Sequence, residues 1–215
     1  MEIYHILNRG VEKRNVFMGE IDYVRFIHDM YAFNDLSPVD PNHRFRKSLM
    51  SQNRKSLVKI FAFSLMPNHY HMLVSEIEDG GISTFMHKLN MGYAKYFNDK
   101  YDRTGVLWQG IFKKIQIQRD EHFRYIPYYI HLNPLDLVTP EWRDGTVRHV
   151  HKSIDYLKHY RWSSFMDYNG IRNFPSLLNM ELMSEILGSP KQQEQVISDI
   201  ILNPSLAEHA ELLEK

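Results

Sequence analysis

A chain of 215 residues with 43% hydrophobic content can bury one substantial core and a smaller appended unit. It holds no cysteine, which excludes disulfides, zinc–thiolate centres and a cysteine nucleophile. The formal net charge is zero, which by itself argues against strong nucleic-acid binding.

The charges are unevenly spread. Residues 36–55 carry Arg44, Arg46, Lys47, Arg54 and Lys55 against the single acid Asp40. From Ser189 onward Glu194, Asp199, Glu208, Glu211 and Glu214 face only Lys191 and Lys215. A basic face and an acidic tail average to neutrality, and so do charges scattered over a solvated surface. No stretch approaches the roughly 18 consecutive apolar residues that span a membrane. The start Met1-Glu2-Ile3-Tyr4-His5 lacks the basic, then apolar run of a secretory signal. A cytoplasmic protein without a membrane partner is expected.

In chain order, Ile3 to Leu7 read as a strand ending at Asn8-Arg9-Gly10. Glu20 to Asn34 read as a helix, with Tyr23, Phe26, Ile27 and Met30 at helical spacing. Residues 36–55, with Pro38, Pro41 and the basic cluster, read as a long loop. Leu57 to Met66 and His69 to Glu76 form a hairpin about Pro67-Asn68. Ile82 to Asn98 read as a helix with Ser83 as its N-cap and a stripe of Phe85, Leu89, Tyr93, Tyr96 and Phe97. Gly110 to Gln118 read as a strand, and Asp120 to Leu132 as a helix capped by Asp120 and stopped by Asn133-Pro134.

This order predicts an α+β fold: a ferredoxin-like antiparallel sheet with helices on one face, spanning residues 1–140. Residues 141–215 form a C-terminal extension, mostly helical and partly packed on the core through Trp142, Trp162, Phe165 and Tyr168. Its helices after Ser176 break at Gly188-Ser189-Pro190 and stop at Asn203-Pro204.

The chemistry concentrates in Met66-Pro67-Asn68-His69-Tyr70-His71-Met72-Leu73-Val74. On a strand, alternate side chains share a face, so His69 and His71 form half of a metal site. With 12 histidines in the chain, such a pair also arises by chance. H-x-H serves barrel hydrolases too, but those need more strand–helix units than this order supplies. Downstream, Tyr129 and Asn133 stand one helical turn apart, whereas Tyr128 points about 100° away. Most of the 13 tyrosines are expected to be core. Pro127 either kinks this helix or marks its start. Trp108 either stacks on an unpaired base or packs in the core, and Arg9, Lys113 and Lys114 are candidate phosphate contacts.

Taken together, Asn8-Arg9-Gly10, Leu65-Met66-Pro67-Asn68-His69-Tyr70-His71, Leu107-Trp108-Gln109-Gly110 and Tyr129-Ile130-His131-Leu132-Asn133-Pro134 resemble the single-tyrosine HUH transposases. The likeness is closest to the REP-associated and insertion-sequence types. It covers about residues 1–140, with Arg161-Trp162-Ser163-Ser164 a further match. The resemblance implies a catalytic domain that nicks and rejoins single-stranded or hairpin DNA through a 5′-phosphotyrosine. Tyr129 matches the nucleophile, and His69, His71 and Asn133 match the ligands of a divalent metal, Mg or Mn. Related enzymes occur as homodimers and as monomers, and residues 119–134 leave that choice open. The alternatives are a domesticated, non-catalytic hairpin-DNA-binding protein on the same scaffold and an unrelated H-x-H metallohydrolase.

Overall fold

Near-continuous burial marks the central strands of the sheet. In the computed structural model, which describes residues 1–37 and 54–206, β1 (Tyr4–Arg9) and β3 (His69–Glu76) are buried on both faces. Both-sided burial places these two strands at the centre. β2 (Val58–Met66) pairs with β3, and the short, exposed β4 (Lys113–Gln116) pairs with β1. The order is β2-β3-β1-β4 with all neighbours antiparallel, the ferredoxin-like arrangement. The predicted loop bases Arg44, Arg46 and Lys47 and the tail acids Glu208, Glu211 and Glu214 lie outside the described residues.

One face of the sheet presents Ile6, Tyr70, Met72 and Val74. It is covered by α1 (Glu20–Phe33) and α2 (Gly81–Lys100) through Phe26, Met30, Phe85, Leu89 and Tyr93. Helices on this face are what the sequence predicts. The other face is covered as well: α3 (Asp120–Leu132) and the C-terminal extension form a second core there with Ile3, Phe61, Ala62 and Leu73. A bulge at Ile60/Ala62 lets both Phe61 and Ala62 turn towards it.

The extension runs through α4 (Val150–His159), α5 (Phe165–Tyr168), α6 (Met180–Leu187) and α7 (Pro190–Leu202). Trp142, Phe165 and Tyr168 enter the second core, whereas Trp162 stacks on Tyr23 at 4.6 Å beside the first. The segment Trp162-Ser163-Ser164 also pairs with the outer edge of β2: Leu65 N donates to Trp162 O at 2.9 Å and Ser164 N to Phe63 O at 3.0 Å. That segment thereby occupies backbone groups an edge strand would otherwise expose. The break before α7 is a capping box between Ser189 and Gln192.

Three local expectations shift. Ser83 lies inside the first turn of α2, because Gly80 takes the left-handed conformation (φ 69°) and starts the helix earlier. Gly81 follows because a Cβ there would stand 2.4 Å from Leu57 O. Asp120 is the first helical residue of α3 rather than its cap, which is Arg119. β4 is shorter than predicted, although Gly10 still bridges Trp108 before it.

Candidate functional site

The pleat puts His5, Leu7 and Arg9 of β1 and His69 and His71 of β3 on the face that α3 covers; Arg9 pairs in register with His69 and Leu7 with His71. The imidazoles of His69 and His71 lie 4.9 Å apart, centre to centre, nearly perpendicular. α3 brings the Tyr129 ring edge-on to His71 at 6.2 Å and to His5 at 6.4 Å. Pro127 sits within α3 without ending it. Tyr128 points elsewhere, its hydroxyl donating to Leu187 O at 3.4 Å.

Asn133 follows α3 one turn after Tyr129, as spaced. Its Nδ2 donates to Tyr129 O at 2.8 Å, and its Oδ1 accepts from the Arg143 guanidinium at 3.3 Å. Arg143, in the turn Pro140–Asp144, forks onto both carboxylate oxygens of Asp136, with its Nε 2.9 Å from Oδ1 and an Nη 2.8 Å from Oδ2. Asp136 Oδ1 also accepts from the Trp142 indole at 2.7 Å. The guanidinium carbon lies 5.6 Å from the Tyr129 ring centre. Burial opposes the Arg143 charge, but Asp136 and Tyr129 outweigh it and hold the guanidinium above its usual pKa. The sequence reading missed Asp136, Arg143 and His5.

Burial lowers the pKa of His69 to about 4, with Arg9 and Arg143 adding to the shift and Asp136 opposing it. His71 is held well below its usual value by burial, then by His69, His5, Arg143 and Arg9. Both rings are therefore neutral near pH 7, the state a metal ligand requires. The tautomer of His69 is also set. Asn68 Nδ2 donates to Lys13 O at 3.2 Å, so its Oδ1 is the atom that accepts His69 Nδ1–H at 2.5 Å. That leaves the Nε2 lone pair of His69 to ligate. Among the described residues no three His, Cys, Asp or Glu side chains form a ligand set. Asn133, the amide the sequence offers as a third ligand, is held at the end of the same helix as Tyr129.

The predicted DNA contacts separate. Arg9 and Lys113 line one recess of about 310 Å³ with Leu7, Asn8, Gln109, Gly110 and Ile111. Lys114 faces the opposite side of the strand, bonded to Glu76 at 2.9 Å and lying over Tyr4. Strand alternation forces this split between adjacent lysines. Trp108 is only 8% exposed and packs against Tyr70 and Phe26, with its indole N–H on Asn90 O at 3.0 Å. It packs in the first core while lining an adjacent groove with Met86, Asn90, Leu107 and Phe112.

The fold and site define an α+β protein whose ferredoxin-like sheet sets an H-x-H strand against a tyrosine-bearing helix, and comparison assigns the family. The family model for IS200-like transposases matches residues 3–133. The chain belongs to the IS200-like transposase family, whose activity is DNA transposition. A solved REP-associated tyrosine transposase bound to a REP hairpin aligns over 80% of this chain and 83% of its own, at 13% identity and a TM-score of 0.48. No curated protein matches the chain. Among the described residues no helix is long and apolar enough to cross a membrane. The family match ends at Asn133, so Asp136 and Arg143 reach the site from beyond it.

Proposed function

We propose that this protein nicks single-stranded DNA beside a hairpin and transfers the strand through a 5′-phosphotyrosine on Tyr129. The observation that carries this reading is the approach of the Tyr129 ring to 6.2 Å from His71 across two separate elements. In the reaction, Tyr129 Oη forms a bond to the scissile phosphorus and the bond to the 3′ oxygen breaks. The phenol gives up its proton and the departing 3′ oxygen takes one up. The ester conserves the bond, so a second 3′ hydroxyl rejoins the strand without a nucleotide cofactor.

His69, His71 and Asn133 would hold a divalent ion, Mg²⁺ or Mn²⁺. Bound there, the ion would polarise the phosphate and offset its developing charge. Arg143 supplies a fixed positive charge next to the oxygen that must become negative during attack. Arg9 and Lys113, in their shared recess, would hold backbone phosphates and set the register of the strand. An unrelated H-x-H hydrolase is disfavoured by membership of the IS200-like transposase family.

The test is incubation with labelled single-stranded DNA carrying a hairpin, in the presence of Mn²⁺. A covalent protein–DNA adduct is expected, and Tyr129→Phe abolishes it. An adduct that persists in Tyr129→Phe refutes the assignment of the nucleophile. The complete burial of Tyr129 favours one second reading, a hairpin-binding protein that no longer cuts. That protein would retain DNA in the same assay and form no adduct with any divalent ion.

A further inference from the structure

The geometry points to His5 as the positioning residue of this centre: by accepting Nδ1–H of His71 it leaves the Nε2 lone pair of His71 for a divalent cation. The inference rests on the metal-binding reading above.

His5 and His71 are diagonal neighbours on β1 and β3, since His5 pairs with Leu73 and Leu7 with His71. His5 Nε2 and His71 Nδ1 are 3.0 Å apart, their ring centres 5.2 Å apart and their planes within 17°. Both side chains are fully buried. Two fully buried rings in direct contact, with no carboxylate between them, meet as neutral imidazoles.

A neutral imidazole has one N–H and one lone pair. Two such rings sharing one hydrogen bond allow only two arrangements. If His5 Nε2–H donates, His71 carries its own hydrogen on Nε2 and has no lone pair there for a metal. If His71 Nδ1–H donates, its Nε2 is a ligand and His5 carries its hydrogen on Nδ1.

Asn68 settles the same question for His69 without ambiguity, because an amide oxygen only accepts. His5 is different. Its Nδ1 has no protein hydrogen-bond partner among the described residues. His5 itself therefore fixes neither arrangement. Cation binding selects the second, with hydrogen on Nδ1 of both rings. The same His5 ring stands edge-on to Tyr129, so the residue that orients the ligand also borders the proposed nucleophile.

The experiment uses the full chain and two probes. Co²⁺ is titrated and read by its visible absorption in the wild type, His5→Phe, His5→Gln and the double variant His69→Ala/His71→Ala. Roughly 10- to 100-fold weaker binding is expected in His5→Phe. Most of the loss is recovered in His5→Gln, whose side-chain oxygen can accept. In the unaltered protein loaded with Zn²⁺, imidazole ¹⁵N shifts should place hydrogen on Nδ1 of both His5 and His71; this readout needs no variant to fold. Wild-type affinity in His5→Phe, equal loss in Phe and Gln, or hydrogen on His71 Nε2 in the loaded protein overturns the inference. Binding that depends on His69 and His71 but not on His5 sinks this inference alone. Binding unaffected by the double variant sinks the metal centre and the inference together.

Discussion

Arg143 and Asn133 are joined side chain to side chain at 3.3 Å, although one lies in the C-terminal extension and the other closes α3. The amide so held donates back to the Tyr129 carbonyl, and the guanidinium lies against the Tyr129 ring. A single cation thus reaches both members of the Tyr–Asn couple.

Replacing it should therefore affect chemistry more than folding. Arg143 and Asp136 are each about three-tenths exposed, so solvent screens the pair. Arg143→Ala is expected to cost about 1–2 kcal/mol in a urea titration. Adduct formation should fall roughly 100-fold, the scale of a misplaced reacting group. Arg143→Lys keeps the charge but loses the fork onto Asp136 and should recover only part of the rate. Full adduct yield in Arg143→Ala would remove the extension from the active site.

Much of this arrangement is legible in the sequence, and the parts that are not share a cause. His69 and His71 follow from strand periodicity, and Tyr129 and Asn133 from helix periodicity, because each couple lies within one regular element. Lys113 and Lys114 fall to opposite faces by the same strand rule, which rewards applying it to every adjacent pair. His5 also sits on a predicted strand. What hides it is register, since nothing local says which residue of β1 lies beside His71. Asp136 and Arg143 sit in short helical turns with no period to read. Trp108 admits both readings in sequence, and its packing against Tyr70 and Phe26 comes only from tertiary structure.

The hydroxyl of Ser164 gives a second test of how the extension supports α3. It accepts from Phe63 N at 2.9 Å and lies 2.8 Å from Nε2 of the buried His131, two residues after Tyr129. Ser164→Ala strands the backbone N–H and the imidazole together. A loss of about 1–3 kcal/mol is expected. Hydrogen exchange should quicken in both β2 and α3, the two elements this hydroxyl joins. Exchange faster in neither element would show that the contact contributes nothing.

Buried histidines set the response of the metal-free protein to acid. His5 and His131 are lowered to about 3 and His69 to about 4, all chiefly by burial, and His71 lies well below its usual value. Unfolded, each titrates near 6.5. Between those limits the unfolded chain binds more protons than the native one, so stability rises with pH there. Nothing is lost above pH 6.5. Below it each histidine contributes a slope of up to about 1.4 kcal/mol per pH unit, continuing towards its native value. Urea midpoints at pH 7.5, 6 and 5 should fall in that order, with the steepest drop between 6 and 5. A flat series would mean that these rings protonate in place.

Metal and DNA should strengthen each other's binding, for an electrostatic reason. The proposed ligands His69, His71 and Asn133 are all neutral, and Arg9 and Arg143 act on both rings as positive charges. A divalent ion entering without DNA meets that field, which Asp136 opposes at His69. A DNA phosphate brings the missing negative charge, and its oxygens fill positions the protein leaves open. Linkage makes the effect reciprocal: the factor by which DNA tightens Mn²⁺ equals the factor by which Mn²⁺ tightens DNA. Calorimetric titration of Mn²⁺ into Tyr129→Phe, with and without hairpin DNA, should show at least a roughly ten-fold gain, about 1.4 kcal/mol. Arg143→Ala should shrink that gain by improving binding of the ion alone. Equal Mn²⁺ affinity in the presence and absence of DNA would show that the ion and the phosphate do not share a site.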